Sequence, residues 1–313
     1  MDRSSRIFVA GHRGLVGSAL VRRLTNDGYG HLLTRTRQEL DLTDPASTDR
    51  FFVDERPEFV LLAAAKVGGI VANDAYPADF IRVNLQIQTN VIDASHRHGI
   101  RKLLFLGSSC IYPKAARQPM TEDQLLTGAL EPTTAAYAVA KIAGIEMVHA
   151  YRRQHGLNGI CLMPTNLYGP GDNFDLASSH VVPALLRKFH EAKQANAPEV
   201  VLWGTGTARR EFLHVDDLAD AAVFLMRNYD GHEIVNVGCG EDLTIRELGE
   251  AIGEAVGFKG RIAFDASKPD GAPRKLLDVS RVTGLGWRAK IGLREGLADA
   301  YGWYLASAAS GAR

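Results

Sequence analysis

The heptapeptide Gly11-His12-Arg13-Gly14-Leu15-Val16-Gly17 constrains the fold more than any other segment of the chain. It follows the apolar run Arg6 to Ala10 and opens a helical pattern, Leu15 to Asp27, with Val16, Leu20 and Leu24 at helical spacing. Glycines at such a junction permit a tight turn, admit a ligand close to the backbone and let helix and strand pack closely. The free N–H groups and positive dipole end of the helix suit the pyrophosphate of a dinucleotide. Spaced glycines alone are weak evidence, because structural turns also carry them. The strand before and the helix after make a dinucleotide site the better reading.

The alternation continues down the chain. His31 to Leu33, Phe59 to Ala64, Leu103 to Gly107 and Ile160 to Met163 read as strands, and Phe80 to His98 and Thr134 to His155 as helices. Continuous apolar strands separated by helices predict an α/β fold, a doubly wound parallel Rossmann sheet covered on both faces. After Pro164 the pattern changes to a turn-rich stretch, Tyr168 to Asn173, then a helix at Val182 to Lys193, a strand at Val200 to Trp203 and a helix at Thr244 to Val256. The expected organisation is a dinucleotide-binding Rossmann domain over 1–165, to which segments of about 212–240 return, and a smaller C-terminal substrate lobe mainly over 166–313.

Charge is balanced, with 36 Lys+Arg against 36 Asp+Glu, so no bulk field draws the chain to nucleic acid or a membrane surface. Cys110, Cys161 and Cys239 are widely spaced and form no C-x-x-C pair. Neither disulfides nor a metal site is expected, and reduced thiols fit a cytoplasmic protein. No signal-peptide pattern opens the sequence, and no uncharged apolar run is long enough to span a bilayer.

The cofactor's identity is argued from the end of the second strand. An enzyme that uses NAD usually places an acid there for the ribose 2′-OH. This chain has Leu33-Thr34-Arg35-Thr36-Arg37, and Arg13 lies in the glycine turn. Guanidinium groups suit a 2′-phosphate, so NADP(H) is expected, with Asp41 toward the adenine.

Tyr137 and Lys141 stand four residues apart and share one helix face. A nearby cation is expected to favour phenolate, and such a tyrosine can exchange a proton with a carbonyl oxygen while hydride moves at carbon. Ser108, at the end of the fourth strand, can bond the same carbonyl, and Ser109 is a rival for that role. Cys110 lies two residues past Ser108, so on an extended backbone both side chains point the same way. His180 opens the second lobe and is placed to face Cys110 across a cleft. The plainer readings are a packing cysteine and a capping or surface histidine.

The glycine turn, the strand-end serine and Tyr-x-x-x-Lys together resemble the extended short-chain dehydrogenase/reductase superfamily. Gly11 to Gly17, Ala63 to Ile70, Gly107 to Pro113, Met163 to Pro170 and Arg210 to Asp217 narrow the resemblance to its GDP-L-fucose synthase family, over about Arg6 to Trp303. That resemblance implies a homodimer acting on a GDP-sugar with NADPH, as a GDP-4-keto-6-deoxy-D-mannose 3,5-epimerase and 4-reductase. It implies Ser108, Tyr137 and Lys141 as the reductive triad and Cys110 and His180 as base and acid of the epimerisation. It also implies Arg13 and Arg37 near the 2′-phosphate, and Lys188, Trp203, Arg210 and Lys275 on the GDP side. The cofactor site it implies comprises Gly11, His12, Arg13, Gly14, Leu15, Val16, Gly17, Arg37, Asp41 and Leu42. Leu106, Gly107, Ser108, Ser109, Lys141, Pro164, Thr165, Asn166, Leu167 and His180 complete it.

Two rivals stand beside this reading. A sugar-nucleotide dehydratase or 4-epimerase of the same superfamily is expected to carry acids directly after the strand-end serine, where this chain has Ser109-Cys110-Ile111-Tyr112. A non-catalytic NADP-binding regulator can drop the tyrosine or the lysine, and this chain keeps both.

Overall fold

Ile7 to Ala10 is wholly buried, as an apolar run without alternation requires. In the computed structural model, which describes residues 1–309 apart from 177 and 269, this run is the strand β1 (Ile7–Ala10). The elements that follow it are α1 (Leu15–Asn26), β2 (Leu32–Leu33), α2 (Pro45–Glu55), β3 (Phe59–Leu62), α3 (Ile70–Ala75), α4 (Pro77–Arg97), β4 (Lys102–Leu106), α5 (Ala135–His155) and β5 (Gly159–Pro164). The rest comprises β6 (Asn166–Tyr168), α6 (Val181–Gln194), β7 (Glu199–Trp203), β8 (Arg209–Arg210), β9 (Phe212–His214), α7 (Val215–Asn228) and β10 (Val235–Val237). It ends with β11 (Leu243–Thr244), α8 (Ile245–Val256), β12 (Arg261–Asp265), β13 (Arg274–Lys275), α9 (Ser280–Gly284) and α10 (Leu293–Ala309).

The central sheet has the order β10-β5-β4-β3-β1-β2 and is parallel throughout. The order reverses between β1 and β3, the switch point at which open α/β sheets build their sites. Alternate residues of β1 feed opposite layers. Ile7 and Val9 pack with α1 and α7, whereas Phe8 and Ala10 pack with α2, α4 and α5. Phe8 lies 4.4 Å from Phe51 and 6.2 Å from Phe52, ring centre to ring centre. Truncating the fully buried Phe52 to alanine should cost about 3–5 kcal/mol. A third core lies among α6, α8 and α10, the residues of β7 and Phe212.

Two helices, α2 and α7, begin on local signals that apolar periodicity does not reveal. α2 starts on Asp44, which accepts from the N–H groups of Ala46 and Ser47 ahead of a proline at the first turn. α7 starts on His214, with Asp216 and Asp217 in its first turn. Among the described residues no helix is long and apolar enough to cross a membrane.

Candidate active site

The glycine turn has a different reason for each glycine. Gly11 has φ +86°, and a Cβ there would lie 2.8 Å from the Ala64 backbone. A Cβ on Gly17 would lie 2.0 Å from the Gly11 carbonyl oxygen, so only glycine lets α1 sit this close to the turn. Gly14 differs. Its φ is −79°, which any residue adopts, and a Cβ would meet only the Gly11 oxygen at 3.5 Å. The protein's own atoms do not demand a glycine there; a bare backbone at the start of α1 leaves a cradle a phosphate can enter. His12 Nδ1 beside it is buried without a hydrogen-bond partner. These features fit a dinucleotide pyrophosphate.

At the 2′-phosphate end the arginines separate. Arg35 is engaged by Glu55 and by the Thr34 carbonyl at 2.8 Å, and stacks 5.7 Å from the Phe51 ring centre. Arg13 and Arg37 are exposed and, among the described residues, make no hydrogen bond or ion pair. Asp41 bends onto its own turn: one oxygen accepts from the N–H of Thr43 at 3.0 Å and from its hydroxyl at 2.8 Å. Leu42 is buried, its carbonyl held by Asn90 at 2.9 Å.

The carbonyl end is built where β4 stops. Lys141, buried on α5, donates to the Leu106 carbonyl at 2.8 Å and lies 5.0 Å from the Phe105 ring centre and 5.8 Å from that of Tyr137. Gly107 packs closely under Met163: a Cβ would sit 2.3 Å from its Sδ, so the thioether would have to move to admit one. Burial lowers the Lys141 ammonium to about 8. The expectation that this cation draws Tyr137 toward phenolate is not met. Burial and the neighbouring Cys110 push the phenol well above its ordinary value, and Ser108 opposes them. With its charge directed at a carbonyl, Lys141 leaves the tyrosine a protonated donor.

The backbone after Ser108 also departs from expectation. It is not extended: Ser109 to Ile111 form a single 3₁₀ turn, with Ser108 at its N-cap accepting from the Cys110 N–H at 3.2 Å. The turn folds Cys110 back over the serine, so the two meet through a cap rather than through strand alternation. Lys275 Nζ donates to Cys110 Sγ at 3.4 Å. Burial raises the thiol, but Lys275 and Ser108 outweigh it, and its pKa falls below the ordinary value. The cation beside Cys110 is therefore Lys275, not His180. His180 is the N-cap residue of α6 and is exposed, and desolvation by the surrounding protein lowers its imidazole; among the described residues no hydrogen bond joins it to Cys110. The segment before it is braced by Gly69, whose N–H donates to the Ser178 carbonyl at 3.2 Å; a Cβ there would meet the Ser179 oxygen at 2.8 Å.

The four residues assigned to the GDP side fall into two pairs, Lys188 with Trp203 at β7 and Arg210 with Lys275 across β8 and β13. Lys188 donates to the Val201 carbonyl two residues before Trp203, which ends β7 and is 61% exposed. Arg210 is half-buried and donates to the Ala272 carbonyl at 2.6 Å. Lys275 pairs in register with Arg210, but its ammonium turns to Cys110. Sequence reasoning missed Lys268, 5.7 Å from the Trp203 ring centre, and gave Glu211 no role. Glu211 is wholly buried and accepts from the N–H of Gly240 at 2.8 Å and of Leu277 at 3.0 Å. A Cβ on Gly238 would lie 2.1 Å from its carboxylate, a packing of residues 27 positions apart that nothing in the sequence marks. The Thr165 N–H donates to Val237 at 3.0 Å and Asn166 donates to the Glu211 carbonyl at 2.8 Å, tying the end of β5 to the same segment.

Comparison with known proteins matches this geometry. The NAD dependent epimerase/dehydratase family model matches residues 7–238. GDP-L-fucose synthase 1 of Arabidopsis thaliana is 62% identical over 304 residues, 97% of this chain and 94% of that protein. The chain belongs to the GDP-L-fucose synthase family. GDP-L-fucose synthase of Escherichia coli (strain K12) is 57% identical over 311 residues, 96% of each chain. A solved GDP-L-fucose synthetase from Naegleria fowleri bound to NADP superposes with a TM-score of 0.92 at 25% identity, covering 99% of this chain and 97% of that one. The parallel sheet, the strand-end serine and the Tyr137/Lys141 helix lie within the matched family region.

Proposed function

We propose that the chain converts GDP-4-keto-6-deoxy-D-mannose to GDP-L-fucose, as a bifunctional 3,5-epimerase and NADPH-dependent 4-reductase. The observation that carries this reading is the meeting of Ser108, Cys110, Tyr137 and Lys275 at the end of β4, in a chain of this family. Gly11 to Gly17, Leu106 to Ser109, Lys141, Pro164 to Leu167 and His180 hold NADP(H), with Arg13 and Arg37 free to meet the 2′-phosphate. When bound, NADPH supplies hydride to C4.

In the epimerisation the sugar ketone acidifies its two neighbouring carbons. Cys110 removes the proton from one of them, forming S–H as C–H breaks, and the electron pair moves to the carbonyl oxygen. Ser108 and protonated Tyr137 stabilise that oxyanion by hydrogen bonding. His180 is held toward its neutral form in the cleft. It takes up a proton when the anionic GDP-sugar lies beside it and returns it to the opposite face. Tyr137 then protonates the C4 oxygen during reduction. Trp203 and Arg210, with Lys188 behind them, grip the GDP.

The same reading keeps the NADP-binding unit at 1–165 with a contribution from about 212–240, and places the substrate lobe mainly in 166–313. It makes the protein a cytoplasmic homodimer joined through α4 and α5, which pack along each other and can pair with their copies. A light-scattering mass equal to one chain would count against the dimer.

The deciding experiment incubates the protein with GDP-4-keto-6-deoxy-D-mannose and NADPH, then identifies the product by NMR. GDP-L-fucose is expected, and NADPH oxidation without inversion at C3 and C5 would leave a simple reductase. With oxidised cofactor in D2O, Cys110→Ser should lose deuterium uptake at both carbons; wild-type exchange in that variant returns Cys110 to a packing role.

A further inference from the structure

We propose that Lys275 is a positioning residue for the base of the epimerisation, the counter-ion that keeps Cys110 ready to accept a proton, rather than part of the grip on GDP. The inference deepens the reading above and rests on it.

Among the described residues, the only hydrogen-bond partner of the Lys275 ammonium is Cys110 Sγ, at 3.4 Å, and it has no ion pair. The neighbouring basic residues behave otherwise: Arg274 and Arg209 both pair with Asp242, and Arg210 donates to backbone carbonyls. A lysine without a carboxylate, aimed at a sulfur, is an arrangement that favours thiolate over thiol.

The strand that carries Lys275 is fastened on three sides. Lys275 pairs with Arg210 of β8, the Leu276 N–H donates to Gln118 Oε1 at 2.8 Å, and the Leu277 N–H donates to the buried Glu211 at 3.0 Å. The Met120 N–H donates to the Leu276 carbonyl at 2.8 Å. Gln118 and Met120 lie on the loop that leaves Cys110, so one set of bonds sets the distance between ammonium and thiol.

The titratable groups facing Cys110 are Lys275 from β13 and Tyr137 from α5, with the Ser108 hydroxyl between the elements. The other two cysteines serve as internal references. Cys161 and Cys239 lack a cation, and burial raises both, Cys239 to about 11. Cys110 is lowered despite its burial. In the proton transfer the thiolate accepts the carbon's proton and becomes neutral, while the Lys275 charge stays in place to meet the developing enolate.

The test measures Cys110 alkylation by iodoacetamide in the ligand-free full-length protein, read by peptide mass spectrometry across pH. Wild type, Lys275→Met and Lys275→Arg are compared. Lys275→Met should raise the midpoint of the pH profile by roughly one to three units, the usual effect of an opposite charge at this range. Lys275→Arg should keep most of the wild-type position. A wild-type midpoint in Lys275→Met overturns the inference. A shift as large in Lys275→Arg as in Lys275→Met overturns it too, because the cause would then be packing rather than charge. As a second readout, deuterium exchange into the keto sugar should fall about tenfold or more at neutral pH in Lys275→Met, and recover as pH approaches the new midpoint. Absence of exchange in the wild type would defeat the epimerase reading, while the alkylation profile would still judge Lys275.

Discussion

Gly11 to Gly17 and the Cys110–Lys275 pair lie in one molecule but are built in opposite ways. The glycine turn is seven consecutive residues whose shape follows from local sterics: Gly11 takes a positive φ, and Gly17 brings α1 within contact of the turn. The thiol and its cation are separated by 165 positions and meet because β13, the loop after Cys110 and buried Glu211 are bonded together. A local site depends on which residues are present. An assembled site depends on how the distant elements pack, so damage far from the chemistry should reach the second and spare the first.

The largest effect expected on this contrast is at the reducing centre. Tyr137→Phe should lower NADPH-dependent reduction roughly 100- to 10,000-fold, the range for losing a general acid, while fluorescence titration shows NADPH binding nearly intact. The raised phenol makes Tyr137 a proton donor across the neutral range, so the wild-type rate should not fall off near a tyrosine titration below its ordinary value. Near-normal turnover in the mutant would remove Tyr137 from the reaction.

Next is the choice of cofactor. Arg37→Ala should weaken NADPH binding by about 1.5–3 kcal/mol and leave NADH unchanged, because only the phosphate loses a charged partner. Equal kcat/KM for NADPH and NADH in the wild type would contradict the role given to Arg13 and Arg37.

The two kinds of glycine separate stability from binding. Gly17→Ala should lower unfolding stability by about 1–3 kcal/mol, because its Cβ would sit 2.0 Å from a backbone oxygen. Gly14→Ala should stay within about 0.5 kcal/mol of wild type and yet weaken NADPH binding. Equal melting losses in both would mean that Gly14, too, serves only the fold.

The smallest effect belongs to Asp172, in the turn that rests on α1. Burial raises its carboxyl from 3.8 to about 7, with one oxygen left unpartnered. A folded-state pKa above the unfolded one means that the native protein holds the extra proton between those values. This residue's contribution to stability is therefore present at acid pH and lost as pH rises from 3.8 toward about 7. Asp172→Asn should raise the melting temperature by roughly a few degrees above neutral pH and by nothing near the lower limit. A pH-independent difference would show that the carboxyl titrates alike in the folded and unfolded chains.

Much of the first half was legible in the residues. The helix expected at Thr134 to His155 is observed at Ala135–His155, and the strand expected at Leu103 to Gly107 at Lys102–Leu106, because the helix is long and rich in alanine and the strand is a continuous apolar run after Lys102. α2 escaped because its buried face is short, only Thr48, Phe51 and Phe52, and its start was encoded in the Asp44-Pro45 cap instead. The position of Cys110 was anticipated through an extended backbone that does not exist; a side-chain cap won over strand continuation. The nearest cation could not be foreseen, since nothing in Arg274-Lys275 says which of two adjacent cations turns to an acid and which to a thiol.

What the sequence determined by itself was whatever short-range sterics and periodicity control: the glycine turn, the strand and helix alternation, and a phenol and an ammonium on one face of α5. The tertiary structure alone decided the electrostatics. It withdrew Arg35 into a pair with Glu55, pointed Lys141 at a carbonyl, set Lys275 against Cys110 and left one oxygen of the buried Asp172 carboxylate unpartnered. Charge interactions and desolvation depend on distances between residues remote in sequence, and those distances exist only once the chain has packed.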